Sequence, residues 1–387
     1  MKEVVMGKKR ILVAYANAGA GHVKSALAIE GALRDLKRDD VEVRCIDTLN
    51  YSTDFLRRSY PRFYLFMVNK IPTLWGLGYY LFDTRIFYRL VIRPLRRIHN
   101  RINCSRLVEF IKDFEPHVAV NTHFLGSEVM ADMKRKGLLE NTKLISVVTD
   151  YFMHSFWVDS DIDYYCVAQE ESKAHLTKRG VPAEMIKIFG IPVDKKFSSK
   201  AGRQNLCKKL NIPDDYPTVL LTSGGFGVGP VKELVNELAG IKRRMQLLVV
   251  CGKNPRLYNE VREMTKSADK PVSVYEFVDN MDELMEVSDV IVTKSGGMSS
   301  TEALAKDLPM IVTSAIPGQE ARNCRFLVKS GVAFHKSNIK DVGRIIEEIL
   351  DSGDMLNQMK KKIALVKKPD SARDVADFIL NCCPQKE

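Results

Sequence analysis

Three times in this chain a short apolar run breaks into glycines and reopens as a helix-forming stretch. The segments are ILVAYANAGAGHVKSALAIE from Ile11 to Glu30, TVLLTSGGFGVGPVKEL from Thr218 to Leu234, and VIVTKSGGMSSTEALA from Val290 to Ala305. A strand that turns at once into a helix cannot pair with a hairpin partner, so the repeated pattern demands a parallel sheet with crossover helices. Further apolar runs fit the same alternation. They predict strands near Val41–Asp47, Val118–Asn121, Leu144–Val148 and Tyr164–Ala168, then near Gln246–Cys251, Val272–Phe277 and Met310–Thr313. Helices are expected at His22–Lys37 and Gly126–Lys136, among others. Turn signals at Phe189–Phe197 interrupt the pattern, which then restarts. With 387 residues to house, the chain is read as an α/β protein of two facing Rossmann-like domains with a cleft between them.

The glycine loops do not complete any one nucleotide motif. In AGAGHVKS, Gly19 and Gly21 open a dinucleotide fingerprint, and Asp47 ends the next strand where a ribose-binding acid belongs. The third fingerprint position, however, is Lys24. Read as a phosphate loop, Lys24-Ser25 is present but Val23 replaces the required glycine. A plain strand-to-helix turn explains the glycines and leaves His22, at the helix start, unexplained. In the second loop Gly224, Gly225, Gly227 and Gly229 precede Pro230, which suits a first helical turn. In the third, Ser299, Ser300 or Thr301 is positioned to cap a helix with Glu302 one turn inside. Both loops are candidate anion sites, since bare N–H groups at a helix start attract phosphate. Downstream, Gln319, Glu320 and Asn323 cluster at another helix start, amide and carboxylate groups suited to sugar hydroxyls.

Charge narrows the partners. The formal net charge is +11, and residues 51–110 supply +8 of it, with eleven Lys/Arg against three acids. That window also holds thirteen of the 32 aromatic residues. Trp75, Tyr79 and Tyr80 beside Arg89, Arg93, Arg96 and Arg97 suit a membrane surface, aromatics at the headgroup boundary and arginines on anionic lipid. Nothing else favours nucleic acid. The longest uncharged aromatic stretch, Ile71–Phe82, is far short of the roughly 20 residues that span a bilayer. The N-terminal KKRILVAYANAGA imitates a signal peptide, but its apolar run, Ile11–Ala16, is too short. Eight cysteines without ligand spacing indicate reduced thiols in a cytoplasmic protein. DSDIDYYCVAQE places acids at the spacing of a calcium loop, yet Tyr164 stands where the sharp turn needs glycine, so calcium is rejected.

Together, GAGHVKSALAI, TDYFMHSFW, TSGGFGVGPV, FVDNMDELM, TKSGGMSSTEALA and PGQEARN stand in an order that resembles one family over nearly the whole chain. That family comprises the monogalactosyldiacylglycerol synthases and processive diacylglycerol β-glucosyltransferases, inverting enzymes of the GT-B fold. The resemblance implies residues 1–192 as an acceptor- and membrane-binding domain and 193–387 as a UDP-sugar-binding domain, with the last helix able to pack back on the first. It implies His22 as catalytic base, with Gly19, Gly21, His154 and Trp157 on the acceptor side. It assigns Gly224, Gly225 and Phe226 to the phosphate loop and Val278 to uracil. Gly297, Met298 and Ser299 match the second loop, Glu302 the ribose contact, and Gln319, Glu320 and Asn323 the sugar contacts. Two positions depart from the family pattern, Ser295 for a frequent Pro and Arg322 for a frequent Gly.

The expected reaction is a single displacement that moves a hexose, glucose ahead of galactose, from a UDP-sugar to diacylglycerol. It needs no cofactor and no metal, because the glycine loops and helix dipoles can meet the charge of departing UDP. The expected location is the inner face of the cell membrane, peripherally. Two other readings remain: transfer to another lipid such as a polyprenyl diphosphate, and a non-enzymatic UDP-sugar sensor. Retention of His22 with a complete donor set argues against the sensor.

Overall fold

Each of those apolar runs becomes a parallel strand in the computed structural model, which describes residues 8–222, 224–225, 227, 229–313 and 315–384. The chain divides into two units. The first runs to Lys195 and takes in Ile316–Gln319 and the chain from Asp370; the second is Lys196–Ala315 with Glu320–Pro369.

The first unit is built on six parallel strands: β1 (Lys9–Tyr15), β2 (Val41–Asp47), β3 (Val118–Asn121), β4 (Lys143–Val147), β5 (Tyr164–Val167) and β6 (Ile186–Ile188). Their order is β2-β1-β3-β4-β5-β6, with Ile11 of β1 level with Val43 and Val118. Alternate residues face opposite sides of the sheet, and both sides are buried. Leu12, Ala14, Ala119 and Leu144 join one core layer. Ile11, Val13, Val118 and Ile145 join the other. The helices are α1 (Ala20–Asp35), α2 (Asp54–Lys70), α3 (Pro72–Phe82), α4 (Arg85–Phe87), α5 (Arg93–Asn103), α6 (Ser105–Phe114), α7 (Phe124–Arg135) and α8 (Glu170–Lys178). A π turn at Tyr88–Ile92 joins α4 to α5. Leu107 and Ile111 of α6 and Val129, Met130 and Met133 of α7 fill the first layer. Ala26, Ile29 and Leu33 of α1 fill the second, together with Val375, Ala376 and Ile379 of the C-terminal helix Ser371–Cys382.

The second unit repeats the plan with a different winding. Strands β7 (Thr218–Thr222), β8 (Gln246–Val250), β9 (Val272–Tyr275), β10 (Val290–Thr293), β11 (Met310–Val312) and β12 (Ala333–His335) lie in the order β12-β11-β10-β7-β8-β9. This is the Rossmann order, with its reversal between β7 and β10. In the first unit the reversal falls between β1 and β3. Ligands of open parallel sheets bind beyond the carboxyl ends of the strands at such points. All eight cysteines are unpaired.

The expected strands appear with ends within two residues. Two further strands, β6 and β12, are three residues long and sit at sheet edges, too short for a periodic signal.

Candidate active site

In the first unit, β1 and β3 end side by side and release the two segments that hold His22. Gly19 is the N-cap of α1, with an extended φ of −174° that any residue could adopt. A Cβ there would lie 3.7 Å from the His22 ring, an ordinary contact, so neither backbone shape nor space requires glycine at this position. Gly21 lies in the first turn of α1, just before the histidine. Thr122, directly after β3, grips His22 twice. Its carbonyl lies 2.7 Å from Nδ1, and its hydroxyl donates to the His22 carbonyl at 2.9 Å. The Thr149 hydroxyl, just beyond β4, is also 2.9 Å from Nδ1.

A carbonyl oxygen can only accept, so Nδ1 carries the proton and Nε2 keeps the lone pair. Burial pushes the His22 pKa down to about 4, against a smaller upward pull from the Thr122 carbonyl. At neutral pH the ring is therefore an uncharged base with a fixed tautomer. His123 stands edge-on at 4.7 Å between ring centroids, and the Trp157 ring is 6.4 Å away. Sequence reasoning missed Thr122, His123 and Thr149. The local signals were NTHF at a strand end and the first residue of TDYFMHSFW, and nothing in the sequence joins either to a residue a hundred or more positions earlier.

His154, named with Trp157 on the acceptor side, is a packed histidine. Its Nδ1 accepts the Phe156 N–H at 3.2 Å, and its Nε2 lies 2.9 Å from the Tyr79 carbonyl. With both ring nitrogens engaged, His154 ties α3 to the Ser155–Trp157 turn. Asp83 strengthens the tie, accepting from the Ser155 N–H at 2.8 Å and pairing with Arg179 at 2.9 Å. Asp47 is likewise occupied by backbone, accepting the N–H groups of Leu49 and Asn17.

The basic segment needs a larger correction. Arg93 pairs with Asp159 at 2.9 Å, Arg96 with Glu128 at 2.8 Å, and Arg101 with Asp132 at 3.1 Å. Arg97 is half-buried, and burial and the charges of Arg93 and Arg135 lower its pKa. Tyr79 is buried, its ring closely approached by Gly318. Tyr79, Arg93 and Arg96 therefore face protein. Of the expected lipid contacts, Tyr80 and Arg89 are exposed and Trp75 is half-buried. The acids of the calcium-like stretch are the counter-charges: Asp159 and Asp161 bind Arg135, and Asp163 binds Lys134.

In the second unit the two glycine loops leave the adjacent strands β7 and β10. Gly227 has φ +60°, and a Cβ would lie 2.1 Å from the Cys251 carbonyl, so only glycine fits. Lys253 N–H bonds the Gly225 carbonyl at 2.8 Å and fixes the loop from beneath. Beside Gly224, Gly225 and Gly296, among the described residues, an added Cβ would meet open space. Phe226 lies outside the described residues. The helix Gly297–Ala305 starts after Gly296 with no side-chain cap. Ser299, Ser300 and Thr301 are inside it, and Thr301 bonds back to the Gly297 carbonyl at 2.8 Å, so the expected cap does not form. Uncapped N–H groups at a helix start favour an anion.

Met298 and Glu302 are buried in this helix and Ser299 is half-exposed. Val278 sits in the loop after β9, half-buried. Gln319 and Glu320 open the helix Gln319–Lys329, and Asn323 is fully buried one turn on. Ser295 donates to the Glu320 carbonyl at 2.7 Å and links the loop after β10 to that helix start. Lys294, missed in the sequence, directly follows β10. Burial lowers its pKa, and the charge of Glu320 partly restores it.

Comparison with known proteins gives the chain its relatives. Residues 22–193 match the family model for monogalactosyldiacylglycerol (MGDG) synthase, and residues 218–375 match the glycosyltransferase family 28 C-terminal domain. A processive diacylglycerol beta-glucosyltransferase of Bacillus mycoides is 28% identical over 380 residues, covering 96% of this chain and 93% of the relative. The chloroplastic monogalactosyldiacylglycerol synthase of Spinacia oleracea is 29% identical, over 88% of this chain and 66% of that protein. The crystal structure of Acinetobacter baumannii MurG shares the fold, with a TM-score of 0.63 at 14% identity, covering 96% of this chain and 99% of MurG.

Proposed function

Because the chain belongs to the monogalactosyldiacylglycerol synthase family, with a family 28 glycosyltransferase C-terminal domain, we infer that it transfers a hexose from a UDP-sugar to diacylglycerol. We propose glucose as the sugar. In support, the bacterial relative that matches over 93% of its own length is named a glucosyltransferase, whereas the plant galactosyl enzyme matches over 66%.

The observation that carries the mechanism is the Nδ1 bond of His22 to the Thr122 carbonyl. It leaves Nε2 to take the proton of the acceptor hydroxyl as that oxygen attacks the anomeric carbon. The bond from that carbon to the UDP oxygen breaks, and the configuration inverts. As Nε2 gains its proton, the oxygens of Thr122 and Thr149 at Nδ1 stabilise the imidazolium. The second unit would meet the UDP charge with the N–H groups of Gly224 and Gly225 and with the uncapped start of helix Gly297–Ala305. Lys294 adds a cation at the end of β10. Glu302, Val278, Gln319, Glu320 and Asn323 are the proposed contacts to ribose, uracil and sugar.

The lipid is met through α2 to α5. Phe63, Phe66, Leu77, Ile86, Leu90 and Leu95 are all exposed on these elements, Ile86 by 74% and Leu77 by 68%. Large apolar side chains held in water on successive helices suit insertion at a bilayer surface. Arg58, Arg62, Lys70, Arg85 and Arg89 are exposed on the same segment and suit anionic headgroups. No helix among the described residues is long and apolar enough to cross a membrane.

The deciding experiment incubates the protein with vesicles of diacylglycerol and anionic phospholipid, with labelled UDP-glucose and UDP-galactose in separate reactions. Labelled glycosyldiacylglycerol from UDP-glucose is the expected result, and a ladder of longer products would add processivity. Product from UDP-galactose alone would overturn the sugar assignment. No lipid product from either donor, with UDP still bound, would overturn the acceptor.

A further inference from the structure

The acceptor unit contains a buried cation that the chemistry above does not use. Arg96 of α5 donates to both carboxylate oxygens of Glu128 on α7, at 2.8 and 2.9 Å. The two side chains are only 22% and 11% exposed. The guanidinium lies over the Phe124 ring at 4.6 Å and over the Phe156 ring at 4.1 Å. Burial works against its charge, but Glu128 more than offsets that, and the Arg96 pKa is raised. A buried ion pair is weak evidence of stability, since apolar residues of the same volume often serve as well.

Its neighbours lead to the base in two ring contacts. The Phe124 ring is 4.0 Å from that of His123, and His123 is 4.7 Å edge-on from His22. Among the described residues His22 has only oxygens at Nδ1 and no carboxylate, so its orientation also depends on what presses against its flank. His123 has to stay neutral as well. A second imidazolium at that distance would oppose proton uptake by His22. Burial and the charges of His22 and Arg96 hold the His123 pKa well below the ordinary histidine value.

We propose that Arg96 is a positioning residue for His22, clamped by Glu128 and stacked on Phe124 so that it holds His123 edge-on against the catalytic imidazole. The inference rests on His22 being the base. It reaches further in one respect: Leu95 and Ile98, on the same helix as Arg96, are exposed. The helix proposed to meet lipid thus also carries the group that steadies the base.

The test compares Arg96→Met, Arg96→Lys and Phe124→Leu with the wild type by steady-state kinetics, thermal melting and NMR titration of labelled histidines in the protein without substrate. Arg96→Met should lower kcat by about 10- to 100-fold, with KM for the UDP-sugar within about twofold. Its His123 resonances should titrate closer to the ordinary value near 6.5. Arg96→Lys, which keeps the charge but not the planar stack, should leave the His123 titration in place and recover only part of kcat. Phe124→Leu keeps the Arg96–Glu128 pair and should reproduce the kcat loss, so it carries the test if Arg96→Met fails to fold. Unchanged kcat and unchanged His22 and His123 titrations in Arg96→Met and Phe124→Leu would overturn the proposal. So would losses that merely track the unfolded fraction. If the wild type turns over no diacylglycerol, the acceptor reading fails, and the histidine titrations still decide the role of Arg96.

Discussion

At the scale of single residues, the chemistry turns on which nitrogen of His22 holds a proton. Replacing His22 with Ala removes the proposed base while leaving the glycine loops of the other unit untouched. Turnover should fall by about 10²–10⁴-fold with UDP affinity unchanged, measured by product formation and calorimetry. The same imidazole sets an acid limit. Its unprotonated form prevails above a pKa of about 4, so kcat/KM should stay level from neutrality to roughly pH 5 and fall as pH drops through 4. Stability has a related dependence. His22 and His123 are neutral when folded, whereas an unfolded histidine takes a proton near 6.5. The unfolded chain then binds more protons, so this contribution is complete above about 6.5 and is lost as pH falls toward 4. Melting temperature followed between pH 7.5 and 4.5 should decline, and His123→Asn should flatten the decline. The glycine loop and its histidine were legible because they are local in sequence. Thr122 and Thr149 were not, since the contacts that matter close loops of 100 and 127 residues.

Secondary elements show where charge counting misleads. Residues 51–110 carry a net +8, and composition alone sends that charge to anionic lipid. The folded chain instead pairs Arg93, Arg96 and Arg101 with acids that lie 31 to 66 residues downstream, at Asp159, Glu128 and Asp132. A window of sequence shows how many charges it contains but not which are neutralised by another element. Apolar exposure is the better guide to a lipid-facing surface, and it yields a sharper expectation. If the proposed lipid-facing surface inserts, Leu77→Asp or Ile86→Asp should cost one buried apolar side chain, about 1.5–3 kcal/mol. Vesicle sedimentation should show affinity lowered roughly 10- to 100-fold at unchanged melting temperature. Arg89→Gln should weaken binding only to anionic vesicles, and by about 1 kcal/mol. Strands were legible at this scale because buried parallel strands read as unbroken apolar runs. The edge strands β6 and β12, three residues each, gave no such run.

For the molecule as a whole, the decisive feature is that the first unit borrows its last helix from the far end of the chain. Val375, Ala376 and Ile379 complete the layer formed by Ile11, Val13, Ala26 and Ile29, and Ser371 bonds the Ile191 carbonyl at 2.8 Å. Ending the chain after Asp370 should therefore lower the melting temperature of the first unit and abolish transfer, while UDP binding by the second unit persists. Loss of both together would show that the units do not melt separately. The same arrangement sets an order of events during synthesis. A domain ordinarily folds once its own residues have been made. Here the half of the protein translated first lacks one wall until the ribosome has read through the whole of the other half. The Rossmann sheet of the second unit, contiguous apart from four residues, can close earlier than the sheet that precedes it in the chain. In the interval, the apolar face over β1 stays open, so the newborn chain has most need of a chaperone until the helix Ser371–Cys382 has been made.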